Sequence, residues 1–258
     1  MKDDRQVIVL AAGKGTRMGT DKPKVLYPLN GKRMILYVVE TLRRLSSFAR
    51  RPIMVVGFGA DQVRRAVGNV CDYVLQDKQL GTGHAVACAR DLLVDYTGDV
   101  LVLYGDHPLV EAQTIEKLFQ HHQSADNLFT MMTTRVADFE EWRAGFYHYG
   151  RILRDQNGKI TAIREKVECS EAELEITEVN PAYFCFQAQW LWENIDTLQA
   201  NNNQQEFYLT DLVEIAFAQG IAIDSMTIDP LQCLGVNTPE QLKLAEKLIT
   251  QKKHESYS

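Results

Sequence analysis

The feature that most constrains this chain is a short apolar run, Gln6 to Leu10, that ends in Ala11-Ala12-Gly13-Lys14-Gly15. An apolar run of this length bounded by glycine reads as a strand buried on both faces, the kind found inside parallel or mixed sheets. The chain then keeps one alternation. Pro52 to Val56, Asp72 to Leu75 and Val100 to Leu103 are short and apolar, whereas Met34 to Leu45, Ala60 to Val67, His84 to Leu93 and Thr114 to His122 carry helical spacing. Such a pattern predicts an α/β fold with a mostly parallel, mixed sheet flanked by helices. Ligands of such sheets lie beyond the carboxyl ends of the strands, which groups Gly13, Gln76 and Asp106 around one crevice.

Further along, Ile152 to Arg154 and Ile160 to Arg164 flank Asn157-Gly158, a hairpin turn signal. Val179 to Phe186 reads as another buried strand, Trp190 to Leu198 and Leu212 to Gln219 as helices, and Pro239 to Thr250 as a closing amphipathic helix. The expected organisation is one domain over 1–251 with a frayed tail over 252–258.

The loop after the first strand has its own chemistry. Glycines there let backbone N–H groups approach a polyphosphate without Cβ interference, and Lys14, Arg17 and Lys24 add fixed positive charge. Phosphoryl-type transfer is catalysed mainly by positioning and charge stabilisation, so a basic loop beside bare backbone supplies much of what it needs. Two better-known loops are excluded. A P-loop needs Gly-Lys-Ser/Thr, which is absent, and a dinucleotide loop needs Gly-x-Gly-x-x-Gly, whereas Gly19 comes one residue late.

Composition narrows the remaining classes. A formal charge of −6 over 258 residues gives no general pull toward nucleic acid, so phosphate binding is local to the basic loop. The five cysteines, Cys71, Cys88, Cys169, Cys185 and Cys233, are scattered and form no Cys-x-x-Cys pair, which favours buried reduced thiols. No apolar run approaches the ~20 residues of a membrane span, and Met1 to Arg5 lacks a signal peptide's apolar region. A cytoplasmic chain that binds neither membrane nor nucleic acid is expected. No internal repeat is visible.

Leu10 to Met18, followed by Pro23-Lys24-Val25-Leu26, resembles the signature of bacterial N-acetylglucosamine-1-phosphate uridylyltransferases, the amino-terminal half of a bifunctional enzyme. The resemblance continues, in the family's order, through Val74-Leu75-Gln76, Gln79 to Ala85, Leu103 to Asp106, Tyr149 to Ile152, Asn201 to Asn203, Tyr208 to Asp211 and Gly235 to Asn237. It implies a Rossmann-like, GT-A-like nucleotidyltransferase fold. The implied reaction is Mg2+-assisted transfer of a uridylyl group from UTP to a sugar 1-phosphate, N-acetylglucosamine 1-phosphate above all. Hexapeptide repeats that would form the family's β-helix acetyltransferase are not expected here, and a monomer or small homo-oligomer is implied.

The same resemblance assigns roles. Lys24 and Arg17 are catalytic; Leu10, Ala11, Ala12, Gly13, Lys14, Gly15, Tyr104 and Gly105 bind the nucleotide. Gln76 with Gly81 and Thr82 holds uracil, an amide being able to match the O4 and N3–H edge. Gly150, Glu165 and Asn180 contact the sugar, whose side of the crevice the hairpin helps to build. Asp106 and Asn237 ligate Mg2+, a hard cation that suits one carboxylate, one amide and substrate phosphates. The competing and less favoured readings are a helix cap before Thr238-Pro239 for Asn237 and a solvated charge for Glu165. His84 is read as a helix-start or packing residue, and His107 is rejected as a ligand because imidazole suits zinc better than magnesium.

Two departures from the family stand out. Pro181-Ala182 replaces the usual Thr-Gly after the sugar asparagine, and Asp138 to His148 is atypical, with Trp142, Phe146 and Tyr147 forming either an exposed patch or a pocket wall. Another hexose 1-phosphate, another pyrimidine nucleotide, or a non-catalytic nucleotide-sugar sensor are therefore the competing readings. A dinucleotide-dependent oxidoreductase is disfavoured by the glycine spacing.

Overall fold

The computed structural model describes residues 4–15, 18, 22–45, 50–125 and 127–255. The first strand, β1 (Arg5–Ala11), is buried from Gln6 to Ala11. A two-stranded ribbon of β2 (Pro28–Leu29) and β3 (Lys32–Arg33) leads into helix α1 (Ile35–Arg43). Then β4 (Ile53–Val56), α2 (Ala60–Val67), β5 (Asp72–Leu75), α3 (Thr82–Ala87), β6 (Asp99–Tyr104) and α4 (Ala112–Ser124) complete the alternating half. The strands β5, β4, β1 and β6 lie side by side and parallel. Their apolar residues alternate between the two faces. Val7, Val9, Leu101 and Leu103 enter one core, and Ile8, Leu10, Val100 and Val102 the other. Each such side chain, removed from water, contributes about 1.5–3 kcal/mol, which sets the register of the centre of the sheet.

The second half turns the sheet antiparallel. It comprises β7 (Phe129–Arg135), β8 (Arg151–Arg154), β9 (Ile160–Arg164), α5 (Glu171–Leu174), β10 (Glu178–Val179) and β11 (Phe184–Gln187). It closes with α6 (Ala188–Asn194), α7 (Leu212–Ala218), β12 (Asp224–Thr227) and α8 (Pro239–Glu255). Strand β11 inserts between β6 and β7, antiparallel to both, and the ten-stranded order runs β5-β4-β1-β6-β11-β7-β10-β8-β9 with β12 beside β7. The α/β expectation of a mixed sheet flanked by helices therefore holds. Among the described residues no helix is long and apolar enough to cross a membrane.

Several elements differ from the sequence reading. The expected strand Val179 to Phe186 is broken at Asn180-Pro181-Ala182: Ala182 takes φ +65°, and the Asn180 side-chain Oδ1 accepts from the Ala182 N–H at 2.8 Å. Pro181 has no N–H for a ladder, so the break falls there. His84 to Leu93 is α3 followed by a separate 3-10 turn, Arg90–Leu93. The closing helix runs on to Glu255, past the expected tail boundary, and 256–258 lie outside the described residues. The β8–β9 connection is a five-residue loop organised by Asp155, whose carboxylate accepts from the N–H groups of Asn157 and Lys159; Gly158 supplies the positive φ.

The hairpin is tied to the sheet by charge. Glu178, buried, accepts from Arg154 at 2.6 and 3.1 Å and from Arg135 at 3.0 Å. In the atypical segment Phe146 is fully buried, Trp142 packs against the core, and Tyr147 lies edge-on to Phe139 at 5.4 Å. Trp142 and Tyr147 are half-buried and Phe146 is part of the core, so the three do not form an exposed patch. Cys71, Cys185 and Cys233 are buried, whereas Cys88 and Cys169 are half-buried, contrary to uniform burial.

Candidate active site

Three chain segments meet at the carboxyl ends of β1 and β6. The loop after β1 is held down by hydrogen bonds from Gly105 N to Leu10 O at 2.9 Å and from Phe58 N to Ala12 O at 3.2 Å. Gly13 faces open space, whereas Gly15, at φ +67°, is pressed onto Lys24. Lys24 opens a 3-10 turn, Lys24–Leu26, whose preceding Pro23 lies against Gly59. The third segment is Gly235-Val236-Asn237, fastened to the β6 turn by Val236 N donating to Asp106 O at 2.9 Å.

The result is a tight polar knot. The Lys24 ammonium donates to Asp106 Oδ2 and, at 2.8 Å, to Asn237 Oδ1. Asp106 is 7% exposed. Burial pushes its carboxyl pKa up, but Lys24, His107 and the hydrogen bonds outweigh that, leaving it below the usual carboxylate range. His107 is itself buried and its pKa lowered, first by desolvation; its Nδ1 lies 3.0 Å from the Tyr183 hydroxyl, an anchoring role. Tyr149 bridges the hairpin region to this knot, its hydroxyl donating to Cys233 O at 2.8 Å and accepting from Gly235 N at 2.8 Å.

Beside the knot lies a cleft of ≈ 230 Å³. Of the residues expected to bind nucleotide, Leu10, Ala11, Ala12, Gly13, Gln76, Gly81, Thr82 and Tyr104 line it, together with Lys24 and Asp106. Lys14 is exposed on the loop, and Gly15 and Gly105 are not lining residues. Gly105 instead faces Ile35 and Val25, where a Cβ would come within 2.7 Å. Arg17 lies outside the described residues. Larger concavities exist elsewhere, one of ≈ 670 Å³ between Trp142 and Gln241, but they lack the glycine loop.

The residues expected to hold the base are committed in ways the sequence does not reveal. Gln76 Nε2 donates to Gly81 O at 3.0 Å and lies 3.0 Å from His84 Nδ1. A carbonyl can only accept, so the NH2 is fixed at that end and Oε1 is the edge left to offer. The Thr82 hydroxyl accepts from Leu209 N at 3.0 Å and is hydrogen-bonded to Tyr104, so it braces the loop. Gly81, at φ +107°, lies so close to Phe207 that a Cβ would approach its carbonyl oxygen to 2.5 Å. Gln79 and Glu206 also line the cleft and escape sequence reasoning. Glu206 is delivered by Asn202, whose Oδ1 accepts from Glu206 N at 3.1 Å; only the Asn201 to Asn203 run hints at it.

The three residues expected on the sugar side are also brought together. Asn180 N donates to Gly150 O at 2.8 Å, and a Cβ on Gly150 would sit 3.6 Å from Glu165 Oε1. Glu165 is not a solvated charge: it accepts from the Thr210 hydroxyl at 3.2 Å, and burial raises its pKa. Burial first, and then the charge of Glu165, raise the pKa of Tyr104, which ties this group electrostatically to the cleft.

Residues 7–210 match the family model described as the MobA-like NTP transferase domain. The chain belongs to the MobA-like NTP transferase domain family. It is 37% identical over 246 residues to the bifunctional protein GlmU of Clostridium novyi, covering 95% of this chain and 52% of that protein. Similarity to the proteins of the same name from Clostridium botulinum (40% over 243 residues, 94% and 51% of the two chains) and Enterococcus faecalis (36% over 256 residues, 99% and 54%) has the same extent. The chain thus spans about half the length of the curated relatives it matches. Membership of an NTP transferase family agrees with a glycine loop, a lysine and a carboxylate gathered at the strand ends.

Among the described residues no group of three or more His, Cys, Asp or Glu side chains gathers around a point. The Asp106 and Asn237 oxygens nevertheless converge on one cation, the Lys24 ammonium. Two hard oxygens, with further ligands drawn from phosphates and water, fit magnesium better than a softer metal.

Proposed function

We propose that this chain transfers a uridylyl group from UTP to N-acetylglucosamine 1-phosphate, giving the UDP-sugar and pyrophosphate. The observation that carries the reading is the convergence of Lys24 and Asp106, which line the glycine-lined cleft, with Asn237, far apart from both in sequence. A sensor of nucleotide sugars has no need of a half-buried lysine and two hard oxygens beside the phosphate loop.

A sugar phosphate is largely dianionic near neutrality, its second pKa being about 6, so no protein base is required for attack on the α-phosphorus. As that P–O bond forms, the bond to the β-phosphate breaks and pyrophosphate leaves. Lys24 stabilises the α-phosphoryl and sugar-phosphate oxygens, while Lys14 and Arg17 hold the β- and γ-phosphates. Asp106 and Asn237 would hold Mg2+, which when bound would supply positive charge beside the two phosphates and offset their repulsion. Gln76 Oε1 accepts from the N3–H of uracil. Cytosine has no such hydrogen, so an acceptor at this point selects uracil or thymine. Gly150, Glu165 and Asn180 bind the sugar.

One observation favours a second acceptor. Ala182 holds a left-handed conformation that costs a non-glycine residue about 1–2 kcal/mol, and it does so two residues after Asn180, within the break in the strand. A reshaped sugar wall would admit a different hexose 1-phosphate with the same chemistry. Pyrophosphate release with Mg2+ and UTP, measured across a panel of sugar 1-phosphates and nucleoside triphosphates, decides the matter. Release with N-acetylglucosamine 1-phosphate alone is expected; release with another sugar reassigns the acceptor, and none with any sugar rejects the transferase reading.

A further inference from the structure

The backbone carrying Lys24 is clamped on two sides. A Cβ on Gly15 would lie 2.5 Å from Lys24 Cβ, and one on Gly59 would lie 2.3 Å from Pro23 Cγ, so residues 23 and 24 sit as close to their neighbours as glycine permits. Residue 24 cannot shift as a whole without opening both contacts. Its side chain, with four rotatable bonds, can. The side chain is 17% exposed and that of Asp106 9%, so the ammonium is held where solvent screens charge poorly.

The same two oxygens that bind the ammonium, Asp106 Oδ2 and Asn237 Oδ1, are the pair assigned above to the divalent cation, and this inference rests on that assignment. Both oxygens lie within hydrogen-bond distance of one nitrogen, and a magnesium ion would need them at about 2.0–2.1 Å. An ammonium and a dication cannot share that point. Like charges a few ångströms apart in a half-buried site repel strongly, and each oxygen's lone pairs directed at Nζ are those the metal would take.

We infer that Lys24 and the divalent cation are alternative occupants of the Asp106–Asn237 oxygen pair, so that the metal enters together with the nucleotide's phosphates, which draw the ammonium away. The lysine is then a tethered counter-ion as well as a phosphate ligand. One residue keeps Asp106 ionised and paired, weakens binding of free metal, and releases its charge to the phosphates when metal arrives with nucleotide. The device couples metal binding to nucleotide binding.

The test is Mn2+ binding to the whole chain without nucleotide, followed by the EPR signal of free Mn2+. Lys24→Met removes the charge and keeps most of the volume. It should tighten Mn2+ binding by about tenfold or more relative to the parent, and the Lys24→Met, Asp106→Asn double variant should lose that gain. Equal affinity in Lys24→Met and the parent, with Asp106→Asn abolishing binding, would overturn the exchange and leave the metal assignment standing. Equal affinity in all four chains would remove the metal assignment as well. A second measurement needs no neutral variant: in parent protein labelled with 13Cε-lysine, the Lys24 resonance, assigned by Lys24→Arg, should move on saturation with diamagnetic Mg2+. A resonance unmoved at saturation would also reject the exchange.

Discussion

Gly15 and Lys24 pack so closely that a methyl group on residue 15 would approach the lysine Cβ to 2.5 Å. The contact is also conformational, because Gly15 holds φ +67°, where a side chain is strained whatever the space around it. Gly15→Ala is therefore expected to displace Lys24 from Asp106 and Asn237. A displacement of about an ångström costs on the order of 100-fold in rate. Pyrophosphate release should fall by that amount with an unchanged far-UV circular dichroism spectrum; retention of full activity would show that the close approach does not position the lysine.

Lys24→Ala separates catalysis from folding. Removing one charge aimed at a developing phosphoryl transition state costs about 10²–10³-fold in turnover, while truncation to alanine opens space through which cleft water can reach the buried Asp106 carboxylate. Turnover should fall by that factor and the melting temperature by only a few degrees. Comparable losses in both would mean that Lys24 is structural.

Ala182→Gly addresses the broken strand. Glycine adopts φ +65° without a steric penalty, which relieves about 1–2 kcal/mol, partly offset by the greater freedom of glycine in the unfolded chain. A net gain of roughly 0.5–1 kcal/mol, or about 1–4 °C in melting temperature, is expected. If Asn180 and its neighbours set acceptor choice, the KM for the sugar phosphate should change while the KM for UTP does not; a shift in both would place the effect elsewhere.

Asp211 carries a pH dependence. Burial, followed by the charges of Glu214, Glu168 and Glu165, pushes its pKa up to about 7, against the opposing Arg164. The folded chain thus holds a proton that the unfolded chain has already lost, and stability declines as pH rises from the ordinary carboxylate range to about 7. Above that the penalty is constant. Asp211→Asn, which cannot ionise, should melt higher than the parent at pH 8 and match it near pH 4. Equal melting at both would show that solvent screens the carboxylate cluster.

Much of the first half was legible because local signals and tertiary packing agree there. The β1, β4, β5 and β6 runs are apolar enough to be recognised as buried strands, and the helices between them repeat with clear amphipathic spacing. The second half was less so. Phe129–Arg135 mixes threonine with apolar residues and so carries no clear strand pattern, yet it lies between β11 and β10 and also pairs with β12. Val179 to Phe186 reads as continuous because hydrophobicity alone does not register a proline without an N–H followed by a left-handed alanine.

From the sequence alone came the glycine loop, the basic residues at its edge, the strand ends that carry Gln76 and Asp106, and the family these residues resemble. Those features are local: each rests on residue type and short spacing. The tertiary structure alone decided that Lys24 is shared between Asp106 and Asn237, that Gln76 and Thr82 spend part of their hydrogen bonding on Gly81 and Leu209, and that Glu206 faces the cleft. Each of those contacts joins groups brought together by sheet order and loop packing, or turns on the direction of a side chain, which linear spacing does not encode.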